Sequence, residues 1–447
     1  MNKPIVFSYE KGYRYDKNGW TYIHVEGEPY GRGLQHGYLL APEIEEIISV
    51  LKHITYWNTG KTWDFFVKEG EKQFVSKIDG EFLDEICGIA DGAEKAGTKV
   101  TWQEIITWNG YRELLYYWWP FNQNGKSSEI NNLCSAFIAT GAATKDGKIV
   151  LAHNTCERFE TGQFLNVIMD LMPSRGHRVL MQTAPGYIHS YSNFFVTSRG
   201  LMGADTTIRK INKYDVNGNP EFFRIRKAIQ YADNMSSFVE IMKNKSNGAY
   251  CWLLGDINTN EIMRFEQGYE YSSVKTIKDG YFQSFNAPED PRIRNLECSC
   301  PGYLDIRHHQ GAGRVRLKDL LKKHYGKLDT ELSKAILADH YDVYLKKFSP
   351  SSRTIDRHYE LDDLKYNNPC DSFLPFQPAG TLDGKIIDSG LAKDLSFYGR
   401  WGNSSGLPFN TEKYFLEHNQ WSHLKGYLKN RLTEPWTIFE AKSNHKE

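Results

Sequence analysis

The chain lacks a charge of one sign, a long apolar run and a cysteine framework. Lysine plus arginine total 55, aspartate plus glutamate total 55, and the formal net charge is zero. Such a chain has no net field to gather polyanions, so no nucleic-acid partner is expected. No stretch approaches the roughly 18 consecutive apolar residues of a membrane span, so none is expected. The opening MNKPIVFSYEKGYRYDKNGW has no apolar core of the secretory-signal kind. The seven cysteines, at positions 87, 134, 156, 251, 298, 300 and 370, are odd in number and irregular in spacing. Disulfide scaffolds use even sets in oxidising compartments, so a reducing, cytoplasmic setting is expected. Internal repeats and low-complexity tracts are missing too.

What is present suits a large globular protein. Of 447 residues, 40% are hydrophobic, 25% charged and 14% aromatic, enough for a sizeable core or an apolar pocket. That length holds two or three average domains, or one large α/β domain with an added helical segment. The texture changes near residue 133. Before it, helical patterns dominate: Pro42 with Ile44, Ile47, Ile48, Leu51 and Ile54; Phe82 with Ile86, Ile89, Ala90 and Ala93; and a helix from a Thr101/Glu104 capping box through Tyr117. The polar segment FNQNGKSSEINN, 121–132, reads as an exposed loop and domain boundary. After it, strands are expected at Phe164–Met172, Phe194–Thr197, Ala249–Leu254 and Ile262–Phe265, and helices at Glu221–Tyr231, Met235–Met242, Val315–Tyr325 and Thr330–Leu337.

The most informative stretch lies at that change. Asn131-Asn132-Leu133-Cys134-Ser135-Ala136-Phe137-Ile138-Ala139-Thr140 and Asp146-Gly147-Lys148-Ile149-Val150-Leu151-Ala152-His153-Asn154 read as the two strands of a β-hairpin. A cysteine heading a buried strand after a cleavable polar loop meets the requirement of an N-terminal nucleophile (Ntn) hydrolase. Such an enzyme cuts itself before the nucleophile, here between Leu133 and Cys134, and uses the freed α-amine as base. An α-amine titrates near about 7.7–8.0 and a thiol near about 8.5, so the two exchange a proton close to neutrality. A strand cysteine is also ordinary core filling.

The surrounding sequence carries a resemblance. LCSAFIATGAATKDGKIVLAHNT resembles the nucleophile hairpin of the phospholipase B-like proteins, whose second strand also ends in AHNT. Upstream, GEPYGRGLQHG and EICGIADGAEKAG-TKVTWQEIITWNGYREL are similar to N-terminal signatures of the penicillin acyltransferase-like family of autoproteolytic acyltransferases and hydrolases. Downstream, SSRTIDRH and AGTLDGKIIDS resemble the C-terminal part of the same group. The resemblance implies an α+β fold, a four-layer αββα sandwich of the Ntn type. It divides the chain into a helical prosegment or small subunit, 1–133, and a catalytic core, 134–447. It implies Cys134 as nucleophile. The phospholipase B-like relatives are mostly secreted or lysosomal, a departure from the cytoplasmic expectation.

Partners for Cys134 follow from the same resemblance, each with a plainer alternative. His153 matches the AHNT histidine. An Asp146-Gly147 turn that pairs Lys145 with Lys148 would set His153 opposite Thr140, roughly 20 Å along the strand from Cys134 at about 3.3 Å per residue. A hydrogen-bonding strand-end histidine is the alternative. Asp205 and Thr206 lie in RGLMGADTTI, similar to a strand whose polar groups stabilise an oxyanion; a polar strand end would read the same. Asn286, in Phe285-Asn286-Ala287-Pro288, resembles the oxyanion asparagine of the bile-salt hydrolase branch, and equally a turn residue before proline. Arg353, in Ser351-Ser352-Arg353-Thr354, resembles an arginine beside the nucleophile, or is a surface charge. Asp356 stands where that family commonly has cysteine.

Three other clusters compete weakly. Cys298, Cys300, His308 and His309 are zinc-ligand types without a known finger spacing, and no metal is expected. Gly311-Ala312-Gly313-Arg314 follows no strand of a βαβ unit. Tyr116-Tyr117-Trp118-Trp119 lines an acyl pocket or packs in a core. The expected protein is a cysteine hydrolase or acyltransferase acting on a linear amide, needing no cofactor. Its partner is a small-molecule acyl amide or ester, and a homo-oligomer is compatible with it. A phospholipase B-like ester lipase, or a non-catalytic binding protein on the same fold, is the alternative.

Overall fold

The computed structural model describes residues 5–122, 133–211, 213–368 and 373–441. Two compact units interleave along the chain: 1–128, 164–199 and 214–248 form the first, and 129–163, 200–213 and 249–447 the second. A crossing thus falls near the seam expected at 133, but the first unit also takes two later stretches. Most of the loop expected at 121–132, and Cys370, lie outside the described residues. Among the described residues no helix is long and apolar enough to cross a membrane.

The first unit is not only helical, as its periodicity suggested. It opens on three antiparallel strands, Phe7–Tyr9, Gly12–Lys17 and Trp20–Gly27. Asn18 and Gly19 both adopt positive φ (49° and 76°), the Asn-Gly turn chemistry that favours a tight hairpin. Val167–Pro173 adds in parallel to the third strand, and Val179–Thr183 and Phe195–Thr197 follow antiparallel. Helices Ala41–Thr59, Gly80–Lys95 and Glu221–Tyr231 form where apolar spacing predicts them. The capping box at Thr101 is present, but its helix stops at Asn109 and a π-turn spans Glu113–Trp118.

Helix Pro29–Leu39 crosses helix Gly80–Lys95 almost backbone to backbone. A Cβ on Gly37 would stand 1.9 Å from the Ile89 carbonyl oxygen, and one on Gly92 2.2 Å from that of Leu34. The glycines are therefore demanded by the close approach. At the same crossing Glu85 accepts hydrogen bonds from Arg32 Nε (2.5 Å) and from Arg226 (2.9 Å), all three buried.

Two antiparallel sets of strands build the larger part of the second unit. One has six strands in the order Gly280–Ser284, Ser135–Gly141, Gly147–Arg158, Ala379–Asp388, Ser396–Trp401 and Thr437–Glu440. The other contains Leu201–Thr207, Tyr250–Asp256, Glu261–Gln267 and Ser272–Ile277 side by side. Alternation along the strands sorts their side chains. Phe137, Ala139, Val150, Ala152 and Ile386 pack on one face against Leu317, Leu320, Leu321, Ile336 and Leu337 of helices His309–Lys323 and Thr330–Leu337. Ile138 and Ile149 point the other way, toward Gly255 of the second sheet. Helices, sheet and sheet therefore form three successive layers within this unit, a mixed α+β architecture with large sheets.

The hairpin register differs from the expected one. Ser135 pairs with Asn154, Ala136 with His153 and Ala139 with Val150, and the register shifts before Gly141 pairs with Gly147. Asp146-Gly147 does not form a two-residue turn. The loop between the strands is instead recruited by the Leu328 segment: Lys145 N–H donates to the Leu328 carbonyl (3.0 Å), and Ala143 is buried in the apolar cluster there. The slip brings His153 to within two residues of Cys134 on the same face, not the roughly 20 Å that an Asp-Gly turn implied.

Candidate active site

Cys134 heads the Ser135–Gly141 strand, second in the six-stranded sheet between Gly280–Ser284 and Gly147–Arg158. The ladder reaches past it, since Leu133 N–H donates to the Cys156 carbonyl at 2.9 Å. Continuing the register by one residue sets Cys134 opposite Thr155, which itself pairs with Asp383 of the next strand. In the adjacent row, Ala136, His153 and Lys385 stand side by side. Strand alternation turns Cys134, His153, Thr155, Asp383 and Lys385 toward the second sheet. Cys134 and His153 are then diagonal neighbours, a spacing of about 7–8 Å.

Each of these groups is buried. Lys385 Nζ donates to Thr155 Oγ1 (2.5 Å) and to the Asp383 carboxylate. Burial pulls the Lys385 ammonium below its ordinary pKa, against Asp383 and Cys134, which favour the charged form. His153 Nε2 lies 3.0 Å from the Asp205 carbonyl oxygen. A carbonyl only accepts, so that nitrogen carries the proton. Burial, helped by Lys385, holds the ring well below its usual pKa, and His153 is neutral.

The Cys134 thiol is pushed up to about 12, first by burial and then by Asp205. A Cys156 backbone hydrogen bond, Lys385 and Arg357 act in the opposite direction. Desolvation wins while the chain is continuous, and the thiol stays protonated. Both residues flanking the expected cut are buried, Leu133 against Cys156, Tyr359, Phe373 and Ala379.

The remaining candidates divide. Asn286 adopts φ 64°, donates from Nδ2 to the Thr207 carbonyl (2.9 Å) and accepts from Arg357 Nη2 (2.9 Å). That arginine acts on Cys134, so Asn286 is tied to the same neighbourhood. Thr206 meets Ser284 hydroxyl to hydroxyl, and alternation sets Asp205 on the other face of their strand. Arg353 lies elsewhere. Its guanidinium grips Asp342 (2.8 Å) and donates to Asn367 Oδ1 (2.5 Å), which leaves Arg357, four residues on, as the arginine whose charge favours the Cys134 thiolate.

Asp356 also finds its partner. It and Glu360 clasp the buried His358 ring at 2.9 and 2.8 Å, which raises the imidazole to about 10 against the pull of burial. Of the zinc-type residues, Cys300 approaches His308 (3.6 Å), while His309 Nε2 bonds Arg209 (2.7 Å). Among the described residues no three His, Cys, Asp or Glu side chains are placed to hold a metal. Gly311 and Gly313 lie inside helix His309–Lys323, where a Cβ on Gly313 would strike Phe285 at 1.9 Å. Tyr116 and Tyr117 are buried in the first unit, and Trp118 and Trp119 ring-pack with Phe65 and Phe66.

Sequence reasoning missed Lys385, Asp383, Thr155 and Arg357. Lys385 and Asp383 sit in AGTLDGKIIDS and Arg357 in SSRTIDRH, stretches whose resemblance was noted without these residues being singled out. A lysine inside an otherwise apolar strand was the available signal.

No protein-family model matches the chain. An uncharacterized protein of Archaeoglobus fulgidus is 27% identical over 250 residues, 54% of this chain and 42% of that protein. A phospholipase B of Crotalus adamanteus is 23% identical over 269 residues, 52% of this chain and 44% of that protein. The matched region thus spans less than half the length of these curated relatives. Crystal structures of two variants of conjugated bile acid hydrolase from Clostridium perfringens share 12% identity, with TM-scores of 0.34 and 0.29. They cover 59% and 60% of this chain and 88% and 89% of their own, at scores too low to bear on the fold.

Proposed function

We propose that this chain is a cysteine acyl hydrolase of the N-terminal nucleophile type, acting on a linear amide through Cys134. One observation carries the reading: Cys134 heads a strand paired on both sides in the six-stranded sheet, with the charges of Lys385 and Arg357 both favouring its thiolate. Lys385 is paired by Asp383, but Arg357 meets no carboxylate among the described residues, and a buried cation costs desolvation that an apolar side chain would not.

In this reading the continuous chain is a precursor. The Cys134 thiol attacks the Leu133 carbonyl carbon, the peptide shifts from nitrogen to sulfur, and water hydrolyses the resulting thioester. The products are a segment ending at Leu133 and a free α-amine on Cys134. That amine, next to the Asp205 charge, takes the thiol proton. The thiolate then adds to the substrate carbonyl, the carbon–nitrogen bond breaks as the amine leaves with a proton, and water releases the acyl group. Asn286, held by Arg357, donates to the oxyanion, and Thr206 holds the neighbouring strand against Ser284. Neutral His153 braces that strand through the Asp205 carbonyl.

A second reading, hydrolysis of an acyl ester, is favoured by the match to a protein named phospholipase B. Intact mass and denaturing electrophoresis of wild type and Cys134→Ala, with turnover on acyl-amide and lysophospholipid panels, test both. Fragments of 133 and 314 residues in wild type alone, with amide turnover that Cys134→Ala lacks, are expected. Normal maturation of Cys134→Ala would exclude self-cleavage, and retained turnover would exclude the thiol as nucleophile.

A further inference from the structure

Arg353, absent from the thiol's surroundings, supports a different part of the second unit. Its guanidinium holds Asp342, and both are buried. Asp342 belongs to a short hairpin of its own, Tyr341–Asp342 paired with Lys347–Phe348. Its carboxylate also accepts from the Ser351 hydroxyl (2.9 Å) and from the N–H groups of Tyr344 (2.9 Å) and Leu345 (3.0 Å) in the connecting loop. Strands of two residues do not hold together alone in water. A buried ion pair fixes these, so the hairpin is a rigid support.

What it carries is poorly suited to water. Phe348 is 69% exposed, Tyr366 41% and Tyr344 36%. The rings are not scattered singly: Tyr344 lies 6.0 Å from Tyr366 and Phe348 5.3 Å from Tyr341, centroid to centroid. Lys346 and Lys347 are exposed in the same hairpin, and the Lys365 ammonium sits 5.4 Å from the Tyr366 centroid. The buried acids nearby, Asp342 and Asp362, face Arg353, and Asp305 is held by Arg307. Asp363 is exposed too, but none of the three lysines pairs with a carboxylate among the described residues. The result is an aromatic strip with an excess of positive charge.

Exposed rings interleaved with lysines on a fixed support match a lipid surface. Lysines meet anionic headgroups, and rings settle at the boundary of headgroup and acyl chain. An acidic protein would answer the lysines and leave Phe348 without a reason to be exposed. The strip also leads inward, because Leu364, beside Lys365 and Tyr366, packs on the cluster that holds Leu133, the neighbour of Cys134.

We propose that this strip docks the protein, without spanning, on a lipid surface bearing anionic headgroups. The docking goes beyond the acyl-hydrolase reading and does not depend on it.

Flotation of the full chain with two kinds of vesicle tests it: phosphatidylcholine alone, and phosphatidylcholine with about 30% phosphatidylserine. Wild type should bind the anionic vesicles about 10-fold tighter or more, and added salt should remove most of that difference. Lys346→Gln/Lys347→Gln should lose about 10- to 30-fold on them, since each lysine near such a surface is worth about fivefold. Phe348→Ser should lose about 10-fold, independently of salt. Val274→Ser/Lys275→Gln, on the exposed strand Ser272–Ile277 of the same unit, should bind as wild type does. Absence of binding, equal binding to both vesicles, or equal losses in this control and the hairpin variants would overturn the proposal. So would binding to polyglutamate that matches the vesicles and survives Phe348→Ser, the result for an acidic protein partner. Should a hairpin variant not fold, quenching of Phe348→Trp fluorescence by brominated lipid reads the contact directly, and its absence overturns the docking. Cys134→Ala should bind vesicles as wild type does, so its turnover judges the hydrolase reading apart.

Discussion

Two buried arginine sites, one in each unit, are handled in opposite ways. In the first, Arg32 and Arg226 close on Glu85, whose carboxyl they hold below its usual range although burial would raise it. In the second, Arg357 is just as deeply buried and faces an amide oxygen and an aromatic ring, and its charge favours the Cys134 thiolate. The first arrangement satisfies its own charges and locks the crossing of two helices. The second leaves donors open, at a cost in stability that selection tolerates where the charge does something. A buried charge paired by its own fold is architecture, and one left unpaired marks a site.

That comparison can be broken by experiment. The largest effect expected is on chemistry: Cys134→Ala should lower turnover about 10⁴-fold or more while the melting temperature stays near wild type, by single-turnover kinetics and calorimetry. Next comes the paired arginine cluster. Glu85→Gln strands two buried guanidinium groups and should destabilise the protein by about 3–5 kcal/mol in urea unfolding. Arg357→Met should leave stability unchanged or raise it, because an uncompensated buried charge is removed. Equal losses for the two variants would erase the distinction between the two sites.

Asn286→Ala should slow acylation about 10²–10³-fold with little change in substrate affinity, as expected of a donor acting on charge that forms in the transition state. A destabilised variant whose folded fraction turns over normally would make Asn286 structural. The smallest effect concerns His358, clasped by Asp356 and Glu360 with His340 3.7 Å from Asp356. Its folded pKa is raised to about 10, so its contribution is complete below the unfolded value of about 6.5 and fades as pH rises through 10. The stability gap between wild type and His358→Gln should therefore shrink from pH 6 to pH 10. A gap that widens would refute the paired imidazolium.

Local patterns were legible where local physics decides. Helices Glu221–Tyr231 and Thr330–Leu337 fall where apolar spacing set them, and Thr101 caps the helix it was expected to cap. The opening strands were missed although Asn18-Gly19 advertised their turn. The hairpin register failed for a non-local reason, since Leu328, far along the chain, recruits the loop that an Asp-Gly turn would have closed. Arg353 and Arg357 could not be ranked from sequence, because only Asp342 and Asn367 in space occupy the first.

By itself the sequence determined the balanced charge, the amphipathic helices, the hairpin and a cysteine at its head. Each depends on side-chain chemistry and on spacings of a few residues. Only the tertiary structure decided that Cys134, His153 and Lys385 share one face, that Lys385 is clasped by Asp383 and Thr155, and that the charge of Arg357 acts on the thiol. Those groups are separated by up to some 250 residues of chain. Strand register and the competition for buried charge act across that distance, and no local pattern encodes either.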